Sequence, residues 1–179
     1  MNYLEELLAE WLEYRGYFVR RNVKVEKRDK GGWSGELDVV AFCPEPEELI
    51  HVECSMDADN WIVREQRLVK KLDLGRRHIP ELFGSICKLE PEQFAMFGYG
   101  SEKHSSLAGA QVIHVKRLLE VVARDLGGRA IAQDIVPESF PLLRTIQYTM
   151  DKSNGLGLSA HISKVSAKGR PRMKGNWLL

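Results

Sequence analysis

Three carboxylates sit within two strongly apolar stretches, Glu36-Leu37-Asp38-Val39-Val40-Ala41-Phe42-Cys43 and Leu49-Ile50-His51-Val52-Glu53-Cys54-Ser55. Between them, Pro44-Glu45-Pro46-Glu47 breaks any ladder and reads as a hairpin loop. An antiparallel hairpin closed between Cys43 and Glu48 sets Val40 opposite His51, Val39 opposite Val52, Asp38 opposite Glu53 and Glu36 opposite Ser55. Side chains alternate along a strand, so one face carries Leu37, Val39, Ala41, Ile50, Val52 and Cys54 and suits packing on a helix. The other face is apolar near the loop and gathers Glu36, Asp38 and Glu53 at its open end. Neighbouring strands lie about 4.8 Å apart, so an opposed Asp38 and Glu53 can converge on one ion. Magnesium takes oxygen ligands at roughly 2.0–2.1 Å and usually keeps several waters, which two carboxylates and a nearby backbone carbonyl would satisfy. Without a cation the two acids repel, and one takes a proton or moves away. A solvated strand face is the plainer reading of any one of these acids. Three at one end of one face favour a divalent-metal site.

The elements that must hold this hairpin are legible on either side of it. Leu4, Leu7, Leu8, Trp11 and Leu12 recur at helical spacing over residues 2–15, and Gly16 supplies a stop. Tyr17 to Val25 suggest a strand that ends in the charged turn Lys27-Arg28-Asp29-Lys30-Gly31-Gly32. After the hairpin a helix is predicted from about Asn60 to His78, with Trp61, Leu68, Leu72 and Ile79 on one stripe and Pro80 limiting its end. Strands are predicted at Phe94–Tyr99 and Gln111–Val115, a helix over Lys116–Leu126, and a last helix opening at Ser139-Phe140-Pro141. Helices alternate with strands, so the fold class is α/β with a central mixed sheet. The expected division is a domain over residues 1–151 and a C-terminal tail over 152–179.

Composition narrows the partners. The net charge of +1 is unevenly spread, because Lys152 to Leu179 hold four lysines, two arginines and no acid. That segment is +6 and the remainder about −5 by difference. A basic tail on a mildly acidic body suits a polyanion. Six cations meeting phosphates would give a log K against log salt slope of roughly −5. A solvated tail fits the composition equally well. Three separated cysteines, Cys43, Cys54 and Cys87, with no CxxC pair, point to reduced thiols and away from a zinc knuckle. No apolar run long enough for a membrane span occurs, and the chain opens on an acidic amphipathic segment, so a cytoplasmic location is expected.

The sequence Gly35-Glu36-Leu37-Asp38-Val39-Val40-Ala41 followed by Ile50-His51-Val52-Glu53-Cys54-Ser55 resembles the PD-(D/E)xK nuclease superfamily, nearest its Holliday-junction-resolvase and Mrr-like restriction branches. Glu5 on the first helix, with Gly16-Tyr17-Phe18-Val19 entering a strand, matches as well, and the resemblance covers about residues 2–78. It implies a restriction-endonuclease-like αβββαβ core. It implies that Asp38, Glu53 and the Cys54 carbonyl bind Mg²⁺, or Mn²⁺, that Glu5 completes the acidic cluster and that Glu36 flanks it. The implied reaction is hydrolysis of a phosphodiester in double-stranded or branched DNA by metal-activated water. One position departs from the pattern, since Ser55 stands where the family has lysine. Either serine is tolerated there, or the cation comes from Lys70, Lys71 or Arg64 on the next helix, or the site no longer cleaves. The leading expectation is therefore a Mg²⁺-dependent DNA endonuclease of the restriction, repair or recombination type. Its alternative is a catalytically inactive nuclease-fold module that binds DNA or a protein partner. A third reading is an unrelated α/β domain.

Other constellations add less. Arg20, Arg21, Lys24, Lys27, Arg28 and Lys30 crowd the first strand and its turn and could follow a phosphate backbone, although Glu26 and Asp29 interrupt them. Trp33 reads either as a stacking residue or as a partly buried anchor. His51 shares the face of Glu53, where a hydrogen-bonded sheet histidine is the commoner occupant. No HExxH, P-loop or Ser/His/acid set is present. Leu142, Leu143, Ile146 and Met150 form either a buried stripe or a homodimer surface.

Overall fold

The computed structural model describes residues 2–84, 89–100, 102–127, 131–152 and 178. Cys87 and, apart from Lys152 and Leu178, the basic tail lie outside the described residues. The chain forms two compact units, Met1–Val115 and Lys116–Leu179, so the boundary expected at 151/152 falls inside the second.

In the first unit the elements run α1 (Tyr3–Tyr14), β1 (Phe18–Lys27), β2 (Trp33–Pro44), β3 (Glu47–Ser55), α2 (Trp61–Phe83), β4 (Glu92–Phe97), β5 (Ser106–Leu107) and β6 (Ala110–His114). The strands form one mixed sheet in the order β1-β2-β3-β4-β6-β5. β1, β2 and β3 are antiparallel neighbours, whereas β4 runs parallel to both β3 and β6. The change of direction follows from the connections. A short loop joins β2 to β3, but β3 reaches β4 through the whole of α2, as a parallel pair requires.

The hairpin register is the one the proline loop dictates, with Pro44↔Glu47, Phe42↔Leu49, Val40↔His51 and Val39↔Val52 paired. The simple two-face alternation holds only in part. Val40, Phe42 and Leu49 are buried, and Leu37 clusters with them, Val23, Val25 and Ile79 rather than following the face of Val39. The chain takes a positive φ at Asn22, between the pairs Arg21↔Val39 and Val23↔Leu37.

α1 buries Leu4, Leu7, Leu8, Trp11 and Leu12 completely, and each such side chain contributes roughly 1.5–3 kcal/mol. Its start is fixed by Asn2, whose side chain caps Leu4 and Glu5. α2 runs past Pro80 to Phe83, further than the proline predicts. Pro80 removes one helical hydrogen bond, but the added turn carries Leu82 and Phe83 onto the Phe42–Leu49 cluster, with the Phe42 and Phe83 rings 5.7 Å apart. Gly84, at φ 53°, ends the helix.

The second unit holds α3 (Val115–Leu126) and α4 (Pro141–Asp151). On α4 Leu143 is buried, while Leu142, Ile146 and Met150 are half-buried. Gln147 is buried beside Leu143, which the apolar stripe did not predict. Its amide accepts from the Val136 N–H at 2.9 Å and donates to the Asp134 carbonyl at 2.7 Å, so the burial leaves both ends bonded.

Candidate metal and phosphodiester site

Asp38 and Glu53 lie one residue beyond the Val39↔Val52 pair, where side chains take over from the backbone ladder. The Asp38 Oδ2 accepts the Cys54 N–H at 2.8 Å, and the Glu53 Oε1 receives the Asp38 N–H at 3.4 Å. Both acids are almost wholly buried, at 5% and 4% exposure. From α2 the Lys71 ammonium donates to Asp38 Oδ1 at 2.8 Å and also to Glu53 Oε2. His51, fully buried, meets Glu53 Oε1 through Nε2 at 2.8 Å. Every oxygen of the pair thus has a partner.

The electrostatics follow from that crowding. Burial, and then the negative charge of Glu53, push the Asp38 carboxyl up to about 7 against the pull of Lys71. Burial opposes the charge of Glu53 too, but the His51 hydrogen bond and the Lys71 ammonium outweigh it and hold that carboxyl below its ordinary range. The acids titrate as a unit in which Asp38 keeps the proton longer. Burial opposes the charge of Lys71, yet Glu53 and Asp38 hold its amine above the usual lysine range. The Cys54 thiol is pushed well up by burial and by the negative charges of Asp38, Glu5 and Glu53.

A cavity of about 140 Å³ opens beside the pair, lined by Glu53, Cys54, Ser55, Asp57, Arg64, Arg67, Leu68, Lys71 and Phe97. It lies at the carboxyl ends of β3 and β4, where Ser55 is the register partner of Phe97.

Not every residue singled out in the sequence points into this site. Lys70 is exposed, and the amine at the acids is that of Lys71. A signal for this was present. Arg64, Leu68, Lys71, Leu72, Gly75 and Ile79 recur at three- and four-residue spacing, and Lys70 lies off that stripe. Glu5 hydrogen-bonds back onto Asn2, closing a capping box, and still lies near enough for its charge to bear on Cys54. The Asn2-x-x-Glu5 spacing announces that box. Glu36 pairs with Lys24, its neighbour across the β1–β2 ladder. Ser55 donates its hydroxyl to Asp57.

Arg64 is committed elsewhere. Its guanidinium donates to Asp57 Oδ1 at 3.0 Å, to the Asp57 carbonyl at 2.6 Å and to the Tyr99 carbonyl at 3.0 Å. It also lies 4.9 Å from the Trp61 ring and 4.7 Å from that of Phe97. On β1, Arg21 is tied to Glu13 and Glu6, while Lys27, Arg28, Lys30 and Trp33 are exposed around the hairpin turn. Trp33, considered as a stacking residue or a partly buried anchor, is 46% exposed.

Among the described residues no three His, Cys, Asp or Glu side chains form a ready-made metal cage. The donor set fits a looser mode. Two carboxylates already converge on one cation, the Lys71 ammonium, and magnesium is commonly held by one or two carboxylates with its remaining positions filled by water.

The sequence matches no family model and no curated protein. Among solved structures it is similar to a protein of unknown function, AF1548. The two are 16% identical over 90% of this chain and 95% of that one, with a TM-score of 0.43. No helix among the described residues is long and apolar enough to cross a membrane.

Proposed function

We propose that this chain is a divalent-metal-dependent phosphodiester hydrolase acting on DNA. In this reading it is built on the PD-(D/E)xK nuclease plan, and Lys71 replaces the lysine absent at Ser55. The observation that carries the reading is the Lys71 amine, delivered from α2 onto both Asp38 and Glu53. The element order α1-β1-β2-β3-α2-β4 and the central position of the β2–β3 hairpin support it. Asp38 and Glu53 would hold Mg²⁺ or Mn²⁺ together with the Cys54 carbonyl. The ion would supply a water of lowered pKa and neutralise charge on the phosphate.

The chain's own residues do the rest. The Cys54 N–H fixes Asp38 and His51 fixes Glu53, so neither carboxylate must reorganise as a substrate arrives. Lys71, its side chain 39% exposed on a flexible stem, turns from the acids to the phosphate in the neighbouring cavity and donates to the charge that develops there. Lys27, Arg28 and Lys30 supply cations for the DNA backbone, and Trp33 a stacking face.

The test is cleavage of supercoiled, linear and branched DNA with Mg²⁺ or Mn²⁺, alongside Asp38→Ala, Glu53→Ala and Lys71→Met. Metal-dependent cutting lost in all three variants is the expected result. Cutting that survives Glu53→Ala would sink the assignment. A second reading, a silent nuclease-fold module that binds DNA, rests on the same amine, since Lys71 already occupies the point where the two acids converge. It predicts DNA binding without cutting at any metal concentration.

A further inference from the structure

A chain of polar side chains leads from Glu53 back into the protein. Gln93 on β4 is the register partner of His51 on β3. Arg76 Nη1 donates to Gln93 Oε1 at 2.7 Å, which settles which end of the amide is oxygen. The amide nitrogen then donates to the Leu72 carbonyl at 2.8 Å and faces His51 Nδ1 at 3.2 Å. An amide nitrogen offers only hydrogens, so Nδ1 must accept. The ring proton is therefore on Nε2, the nitrogen 2.8 Å from Glu53 Oε1. Gly75 makes the arrangement possible, because a Cβ there would stand 2.3 Å from His51 Nδ1 and 2.4 Å from its Cε1. A helix, a neighbouring strand and a glycine are all fitted to one neutral imidazole.

We infer that His51 is a positioning residue for the acid pair, held by Gln93 as the Nε2–H tautomer so that it ties down Glu53 Oε1 and leaves Oε2 to face the cation. The inference rests on the reading of Asp38 and Glu53 as a divalent-metal site. Groups that orient metal ligands through hydrogen bonds typically change metal affinity about 10–100-fold when removed.

The experiment uses the full chain and two readouts. Nitrogen NMR of ¹⁵N-histidine-labelled protein without metal is expected to show His51 protonated on Nε2 and not on Nδ1. Glu53→Gln should move the Nε2 resonance, and Gln93→Leu should weaken the tautomer preference. Mn²⁺ titration is expected to show His51→Phe binding about 10–100-fold more weakly than wild type. His51→Gln, which restores an N–H near the Nε2 position, should recover most of that loss while both variants keep cooperative unfolding. A merely structural histidine would not be rescued in this way.

An Nδ1–H tautomer in the wild type would overturn the inference, and so would His51→Phe binding Mn²⁺ as tightly as wild type. Where His51→Phe does not fold, Gln93→Leu carries the affinity test from the other side of the ring. A wild type that took up no Mn²⁺ would remove the metal reading alone. The imidazole spectrum and its response to Glu53→Gln would then still decide the relay.

Discussion

Arg64 and Lys71 sit two turns apart on α2 and line the same cavity, yet they are held in opposite ways. Arg64 spends its donors on two backbone carbonyls and Asp57, between two aromatic rings, and is 4% exposed. Gly100 stays bare beside it, since a Cβ there would come within 2.6 Å of its Nη1. Lys71 keeps part of its stem in solvent and meets two carboxylates. A cation whose partners are fixed backbone is part of the scaffold. In the proposed reading, one whose partners are a repelling acid pair lets go when a phosphate arrives.

Several measurements would break or sharpen the contrast. Arg64→Ala should cost about 1–3 kcal/mol in denaturant unfolding, because it removes a buried guanidinium that donates to two carbonyls and to Asp57. Lys71→Met should leave a folded protein but lower metal-dependent cleavage by about 10²–10³-fold, the scale for losing one donor to developing charge. If the two outcomes were exchanged, the roles assigned to these cations would be wrong. Gly75→Ala should destabilise by about 1–3 kcal/mol through overpacking and should weaken Mn²⁺ binding as well, since the new methyl displaces His51.

Acidity gives a smaller effect with a definite sign. Metal uptake needs both acids ionised, and Asp38 keeps its proton up to about 7. Mn²⁺ affinity should therefore fall by roughly tenfold per pH unit below 7 and level off above it. The raised carboxyl binds a proton in the folded chain that the unfolded chain has already lost. Its contribution to stability thus declines as pH rises from 3.8 towards 7 and is flat beyond. Last, Lys70→Ala should change neither stability, beyond about 0.5 kcal/mol, nor cleavage. A large loss there would return the missing cation to the neighbouring residue.

The central hairpin was legible because three local signals agreed: a proline-broken loop, two apolar runs and acids in step at one end. The register follows from the loop alone. What did not follow is anything set by the phase of one element against another. Lys70 and Lys71 differ by a rotation of about 100° on a helix, and although the stripe of Leu68, Leu72 and Ile79 favours Lys71, its reach to the acids depends on how α2 is set against the sheet. The contact of Gln93 with His51 depends on the parallel β3–β4 register, which no turn between them encodes. The packing of Leu37 with the Val40 cluster has no local signal in the sequence either.

The sheet changes from antiparallel to parallel at β3, and this divides the protein for anyone who would redesign it. On the antiparallel side the acids are pinned by a short hairpin whose length cannot be altered without slipping Asp38 past Glu53. On the parallel side, residues 56–60, between β3 and α2, and residues 99–100 and 102–104, between β4 and β5, lie outside the strand ladders. Loops from other proteins can be grafted there to change what enters the cavity, while the two carboxylates stay in register.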